Sequence, residues 1–237
     1  MKIVITGGTG RFGQVLKKIK SKHKILFPNK NKLNILNYKK ISNYLKKEKP
    51  NILIHLAGLS RPMDIHDKKI SKSIDLNIIG TANITKACFE NKTKLIYFST
   101  NYVYPGEKGN YKENDPIKPI NSYAWSKLGG EASVKLYKNS LILRVCMTEK
   151  PFVHKSAFAN AKSSFLYHDQ VALILFKVLK QKGILNVGGR SQNIYDFVVK
   201  ENKNIKKIFL KKNSNYGIPK NSSLNLFKLK KILKKNF

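Results

Sequence analysis

At 237 residues the chain is long enough for one sizeable core, or for a core with a small appended lobe, and too long for a minimal module. Cys88 and Cys146 have no metal-ligand spacing, no run of about 18 or more apolar residues occurs, and the first strand begins at the N-terminus; no metal, no membrane span, no signal peptide and a cytoplasmic location are expected. The net charge of +34 would nominate a nucleic-acid binder, but lysine outnumbers arginine 43 to 4 and is scattered over every predicted element, which reads as coding bias on solvated faces and argues against a specific nucleic-acid partner.

Met1 to Gly13 reads MKIVITGGTGRFG. Ile3, Val4 and Ile5 predict a short buried strand, and the glycines that follow break it into a tight turn. Gly7, Gly10 and Gly13 stand three apart, so the backbone can approach a pyrophosphate, while Phe12, Val15, Leu16 and Ile19 give the next helix an apolar face. Strand, glycine turn and helix in that order are the context a dinucleotide site requires. A second strand is predicted at Lys24–Phe27, with Pro28–Lys32 as the loop leaving it. An acid there would hold the ribose hydroxyls of NAD, whereas a basic residue accommodates the 2′-phosphate of NADP. No acid occurs between Met1 and Lys47, and Arg11, Lys30 and Lys32 are available, so NADP(H) is the preferred cofactor and NAD(H) stays open.

A helix over Tyr38–Lys47 precedes a third buried strand, Asn51–Leu56, which Ala57-Gly58 close at the end where an open parallel sheet binds its ligands. His55 lies within that apolar run and reads as a packed core histidine. Ile70, Ile74, Ile78, Thr81, Ile84 and Ala87 carry helical spacing and predict one long helix, Ile65–Asn91, across the sheet. Lys94–Ser99 is a fourth strand that delivers Ser99-Thr100 at its C-terminal end. This alternation implies an α/β fold with a parallel sheet covered by helices on both faces.

Tyr123 and Lys127 stand four apart at the start of a predicted helix, so both project from one face. A free phenol has a pKa near 10 and is a poor acid or base at neutral pH, but a neighbouring ammonium favours the phenolate. The same ammonium can hold a cofactor ribose, and Thr100 can hydrogen-bond a substrate oxygen. From Lys200 onward twelve lysines face one acid, yet Phe209, Leu210, Ile218, Leu224, Leu226, Phe227, Leu229, Ile232 and Leu233 predict a folded lobe rather than a basic tail.

With TGGTGRFG (Thr6–Gly13), KPNILIHLAG, NIIGT (Asn77–Thr81), STNYVYPG (Ser99–Gly106), PINSYAWSKLGGE (Pro119–Glu131), LNVGG (Leu185–Gly189) and IPKNSSLNLFKLKKIL (Ile218–Leu233), the chain resembles the extended short-chain dehydrogenase/reductases. Within them it is similar to the dTDP-4-dehydrorhamnose reductase-like branch. The resemblance implies a Rossmann-type doubly wound parallel sheet with a small, reduced C-terminal substrate lobe. It makes Thr100, Tyr123 and Lys127 the catalytic group, with Tyr123 the proton donor to a sugar ketone and hydride coming from the nicotinamide. Gly10, Arg11 and Phe12 would meet the pyrophosphate, Asn34 and Ile35 the adenine side, Ala57, Gly58 and Leu59 the middle of the cofactor, and the Phe98 backbone the nicotinamide end.

Departures from the family pattern gather on the sugar side. Asn101 replaces an aspartate after the catalytic threonine, Ala124 a glycine after the tyrosine, and Met147 a tryptophan, and the stretch Thr148–Gln170 is short. Thr100, Asn101 and Met147 are the expected substrate-facing residues. The expected division is 1–147, a nucleotide-binding domain with the catalytic residues, and 148–237, the remaining strands and the reduced lobe. The function so implied is NADPH-dependent reduction of a nucleotide-linked keto-sugar for surface polysaccharide synthesis, with a homodimer open. An epimerase or dehydratase of the same extended family, using bound NAD, and a non-catalytic nucleotide-binding regulatory subunit are the alternatives.

Overall fold

The computed structural model describes residues 1–211 and 217–234. Six strands form the central sheet: β1 (Lys2–Thr6), β2 (Lys24–Leu26), β3 (Ile52–His55), β4 (Lys94–Thr100), β5 (Ser140–Val145) and β10 (Gly183–Val187), in the order β10-β5-β4-β3-β1-β2. The pairs β1–β2, β1–β3 and β3–β4 are parallel, with Ile3 opposite both Ile25 and Ile52. The chain leaves β1 towards β2 and returns to the other side of β1 as β3. A topological switch point therefore lies between β1 and β3, and the crevice beyond their C-terminal ends is the ligand position of such a sheet.

The chain divides into two compact units that interleave in sequence, the first comprising Met1–Ser99, Trp125–Leu143 and Leu179–Ile184, and the second Thr100–Ala124, Arg144–Val178 and Leu185–Phe237. In the first, α1 (Arg11–Lys18) follows the glycine turn and α2 (Tyr38–Glu48) follows Asn37, whose side chain accepts from Lys40 N at 2.9 Å and caps the helix. Ile41 and Leu45 of α2 pack with Ile84 and Cys88 against Val4, Leu53 and Leu95 of the sheet. Burial pushes the Cys88 thiol far up and the Cys146 thiol up to about 12, as befits small core residues.

The single long helix expected over Ile65–Asn91 is not present. It is broken into α3 (Ile65–Lys68), α4 (Ile70–Ser73), a π-helical turn (Ile74–Ile79) and α5 (Gly80–Glu90). Lys69, at φ −133° and ψ 62°, interrupts the first part, and the wide turn then shifts the helical phase. Ile84 and Ala87 are buried as expected, but Ile70 is 60 % and Ile74 41 % exposed.

In the second unit, β7 (Ser156–Phe158) pairs in parallel with β12 (Lys206–Ile208), and β8 (Lys162–Ser163) antiparallel with β11 (Gln192–Asn193). The short strands β6 (Met147–Thr148) and β9 (Leu166–Tyr167) pair in parallel. Helix α7 (His168–Lys177) follows β9, and helix α8 (Ile194–Val198) closes a core of Ala157, Phe158, Ala161, Ile194, Val198 and Ile205. The lysine-rich stretch from Lys200 packs Leu210 and Ile218 against that core and buries Leu224 and, on α9 (Phe227–Lys234), Leu229. Within it Phe209 and Phe227 are exposed, and 212–216 and 235–237 lie outside the described residues. Among the described residues no helix is long and apolar enough to cross a membrane.

Candidate active site

In the first unit the site is built on the glycine turn. Gly7 takes φ +72°, and a Cβ there would fall 2.7 Å from Ala57 N, so the turn and the end of β3 touch backbone to backbone. A Cβ at Gly13 would meet Gly7 O at 2.5 Å, so α1 closes on the turn only without one. Gly10 is the N-cap of α1 and brings no side-chain cap to the helix start, the end of a helix where the backbone dipole favours an anion. This cradle fits a pyrophosphate. Phe12 is buried with its ring 5.2 Å from that of Phe98, and Arg11 Nη2 donates to Ser60 Oγ at 3.1 Å. Lys30 is exposed in the loop after β2, Asn34 accepts from Leu36 N, and Ile35 is buried with its carbonyl accepting from Asn83 at 3.0 Å.

A directional chain of hydrogen bonds sits beneath this turn. Thr6 Oγ1 accepts from Leu56 N and Ala57 N, both at 3.2 Å, so its own hydrogen goes to His55 Nδ1 at 2.8 Å. His55 then carries its proton on Nε2 and donates to Thr81 Oγ1 at 3.2 Å, and Thr81 donates to Asn77 O at 2.8 Å. Burial, with the nearby Lys127 charge, holds the imidazole down at about 3. His55 is thus a neutral core histidine that orders the Ala57 turn. Asn77 binds the next residues: Oδ1 accepts from Leu59 N at 2.7 Å, and Nδ2 donates to Leu59 O at 2.9 Å and to Ser126 Oγ at 2.8 Å. Helical spacing in the sequence places Asn77 in a helix without giving it a role; its place at the start of the NIIGT segment is the signal that could have found it.

Lys127 lies on α6 (Ser122–Lys135), only 9 % exposed, with Nζ 4.3 Å from the centre of the Tyr97 ring. Burial pushes its pKa down to about 7, partly opposed by Glu131.

In the second unit, Thr100 closes β4, and its Oγ1 accepts from Tyr102 N at 3.2 Å, capping the 3-10 turn Asn101–Val103. Acceptance there leaves the hydroxyl hydrogen to be donated. Asn101 is buried and gives Nδ2 to Ser222 O at 3.2 Å. Tyr123 is half-buried in the first turn of α6, one helical turn before Lys127, and Met147 is half-buried in β6. Sequence reasoning also missed a cluster here. Arg144, buried, donates to Tyr104 Oη at 3.0 Å and to Glu113 O at 3.2 Å, and Asn186 binds Tyr104 Oη and Tyr111 O.

The model of the family described as RmlD substrate binding domain matches residues 1–154. The dTDP-4-dehydrorhamnose reductase of Aggregatibacter actinomycetemcomitans is 30 % identical over 152 residues, which make up 62 % of this chain and 51 % of that protein. Methionine adenosyltransferase 2 subunit beta of Danio rerio is 29 % identical over 154 residues, 61 % of this chain and 47 % of that one. The matched segment thus spans about half the length of these relatives. Among solved structures, a dTDP-4-dehydrorhamnose reductase from Bacillus anthracis in complex with NADP superposes with TM-score 0.85 at 23 % identity, over 97 % of this chain and 91 % of that one, and shares the Rossmann-type fold.

Proposed function

We propose that this chain, which belongs to the RmlD substrate binding domain family, is an NADPH-dependent reductase of a nucleotide-linked keto-sugar whose product feeds surface polysaccharide synthesis. The observation that carries the reading is Lys127, a lysine of the unit that holds the glycine cradle, buried and one helical turn after Tyr123. When bound, the reduced nicotinamide supplies the hydride. The glycine turn and the N-terminus of α1 would hold the pyrophosphate, Ala57–Leu59 would line the middle of the cofactor, and Arg11 with Lys30 would take the 2′-phosphate. Thr100 donates to the carbonyl oxygen and orients it. Tyr123 gives its phenolic proton to that oxygen as the carbonyl carbon is reduced, and the phenolate recovers a proton from water. Lys127 holds the ribose and favours the phenolate. Met147 would face the sugar region, where the second unit forms a reduced lobe, whereas Asn101, expected there too, is buried and gives its carboxamide to Ser222 O.

Titration with NADPH and NADH, followed by turnover of dTDP-4-dehydrorhamnose, tests this. NADPH should bind several-fold more tightly, a preference that Arg11→Ala with Lys30→Ala abolishes. Tyr123→Phe should bind NADPH normally and lose about 10²-fold or more in reduction. A fully active Tyr123→Phe protein would sink the mechanism. A second reading, a nucleotide-binding regulatory subunit, is favoured by the similarity to relatives named as methionine adenosyltransferase 2 subunit beta. It predicts NADPH binding with no reduction of any keto-sugar offered.

A further inference from the structure

The C-terminal segment 217–225 is threaded through the second unit, and its residues 220–225 are fixed by their own backbone. Lys162 N donates to Lys220 O at 2.9 Å, Ser222 N to Lys162 O at 3.0 Å, and Asn221 N to Gly106 O at 2.7 Å. Leu224 N donates to Ser164 Oγ at 3.1 Å, and Tyr111 exchanges backbone bonds with Ser223 and Asn225. Gly109 leaves no space for a Cβ beside Asn221, nor does Gly106 beside Pro219. Residues 220–225 of this strip are held by bonds that involve neither Asn101 nor Asn121, and Ile218 and Pro219 before them are held by packing.

Two further bonds join this strip to the segments that carry Thr100 and Tyr123. Asn101, next to Thr100, donates Nδ2 to Ser222 O at 3.2 Å. Asn121, two residues before Tyr123, accepts at Oδ1 from Ala124 N at 2.8 Å, which makes it the N-cap of α6, and donates Nδ2 to Gly217 O at 2.9 Å. Each carboxamide uses its donor on the strip, and a carboxylate at either position would set an acceptor against a carbonyl oxygen. The two catalytic segments lie more than twenty residues apart in sequence, and one strip holds both.

We propose that Asn101 and Asn121 are positioning residues, through which the C-terminal strip sets the Thr100 turn and the first turn of the Tyr123 helix relative to each other. The role assigned to those two segments rests on the reductase reading above; the tethering itself does not.

Asn121→Asp is the sharpest variant, since aspartate keeps the N-cap acceptor and removes only the donor to Gly217. Asn101→Ala removes the other tether. The full chain is assayed in three ways: NADPH affinity, kcat and KM with dTDP-4-dehydrorhamnose, and amide hydrogen exchange at Tyr102 and Ala124. Expected are NADPH binding within about twofold of wild type and a kcat lowered about tenfold or more, the scale on which misplaced groups act. Exchange at Ala124 in Asn121→Asp, and at Tyr102 in Asn101→Ala, should quicken. Unchanged kcat in folded variants, or unchanged exchange, overturns the proposal. Should the wild type reduce no keto-sugar, the reductase reading fails, and exchange alone decides the tethers. Should Asn101→Ala fail to fold, Asn121→Asp decides.

Discussion

Lys127 spends most of its length away from water, and its titration follows from that. Its native pKa is lowered to about 7 by burial, whereas an unfolded lysine titrates near about 10.4. Below pH 7 both states carry the proton and the folded chain bears the full cost of the buried ammonium. Between about 7 and 10 the unfolded chain binds more protons, so stability rises with pH, by up to about 1.4 kcal/mol per pH unit. Urea unfolding at several values across that window should show the rise in wild type and a flatter profile in Lys127→Met; identical profiles would place the charge in water. Gly13 makes a second test at this scale. Gly13→Ala forces α1 away from Gly7 O, so NADPH affinity should fall at least tenfold while the fold persists, as read by calorimetry and circular dichroism.

The element that departs most from periodicity is the broken helix with its π turn, and Asn77 explains the break. The wide turn carries Asn77 in towards Leu59, where its carboxamide makes three hydrogen bonds. Asn77→Ala should cost about 1–3 kcal/mol, because Leu59 and Ser126 lose partners, and should weaken NADPH binding through the loosened Ala57–Leu59 loop. An unchanged melting temperature and affinity would refute that. The strands β1, β3 and β4 were legible in sequence because each is an unbroken apolar run, and the glycine spacing marked the turn between the first strand and its helix. The helix break was not, since apolar spacing records which residues could face a core and says nothing of a polar side chain that needs a partner eighteen residues away. Asn101 shows the same limit on a larger span: its partner Ser222 is 121 residues distant. Tyr123 and Lys127 were legible because helical spacing is local. The burial that shifts Lys127 comes from Tyr97 and the packed sheet, and is not.

At the scale of the molecule, 13 acidic residues cannot neutralise 47 basic ones, and pairs such as Lys2–Glu48 at 3.5 Å and Lys68–Asp64 at 2.8 Å leave most lysines facing like charge. Self-repulsion should therefore dominate, and raising sodium chloride from about 20 to 500 mM should raise the melting temperature as the screening length shortens. A fall would mean that ion pairs outweigh repulsion. Any binding to duplex DNA should be indifferent to sequence and collapse between about 50 and 200 mM salt; tight, sequence-selective binding at the higher value would contradict the reading of the charge. The lysines also bear on how copies of the chain meet. One border of the sheet is β2, three residues long, with Lys24 exposed and set beside Lys2 across the ladder. A strand so short and so charged is a poor template for a foreign strand, so the open hydrogen-bonding row at that border resists edge-to-edge aggregation, and Lys24→Val would remove that safeguard.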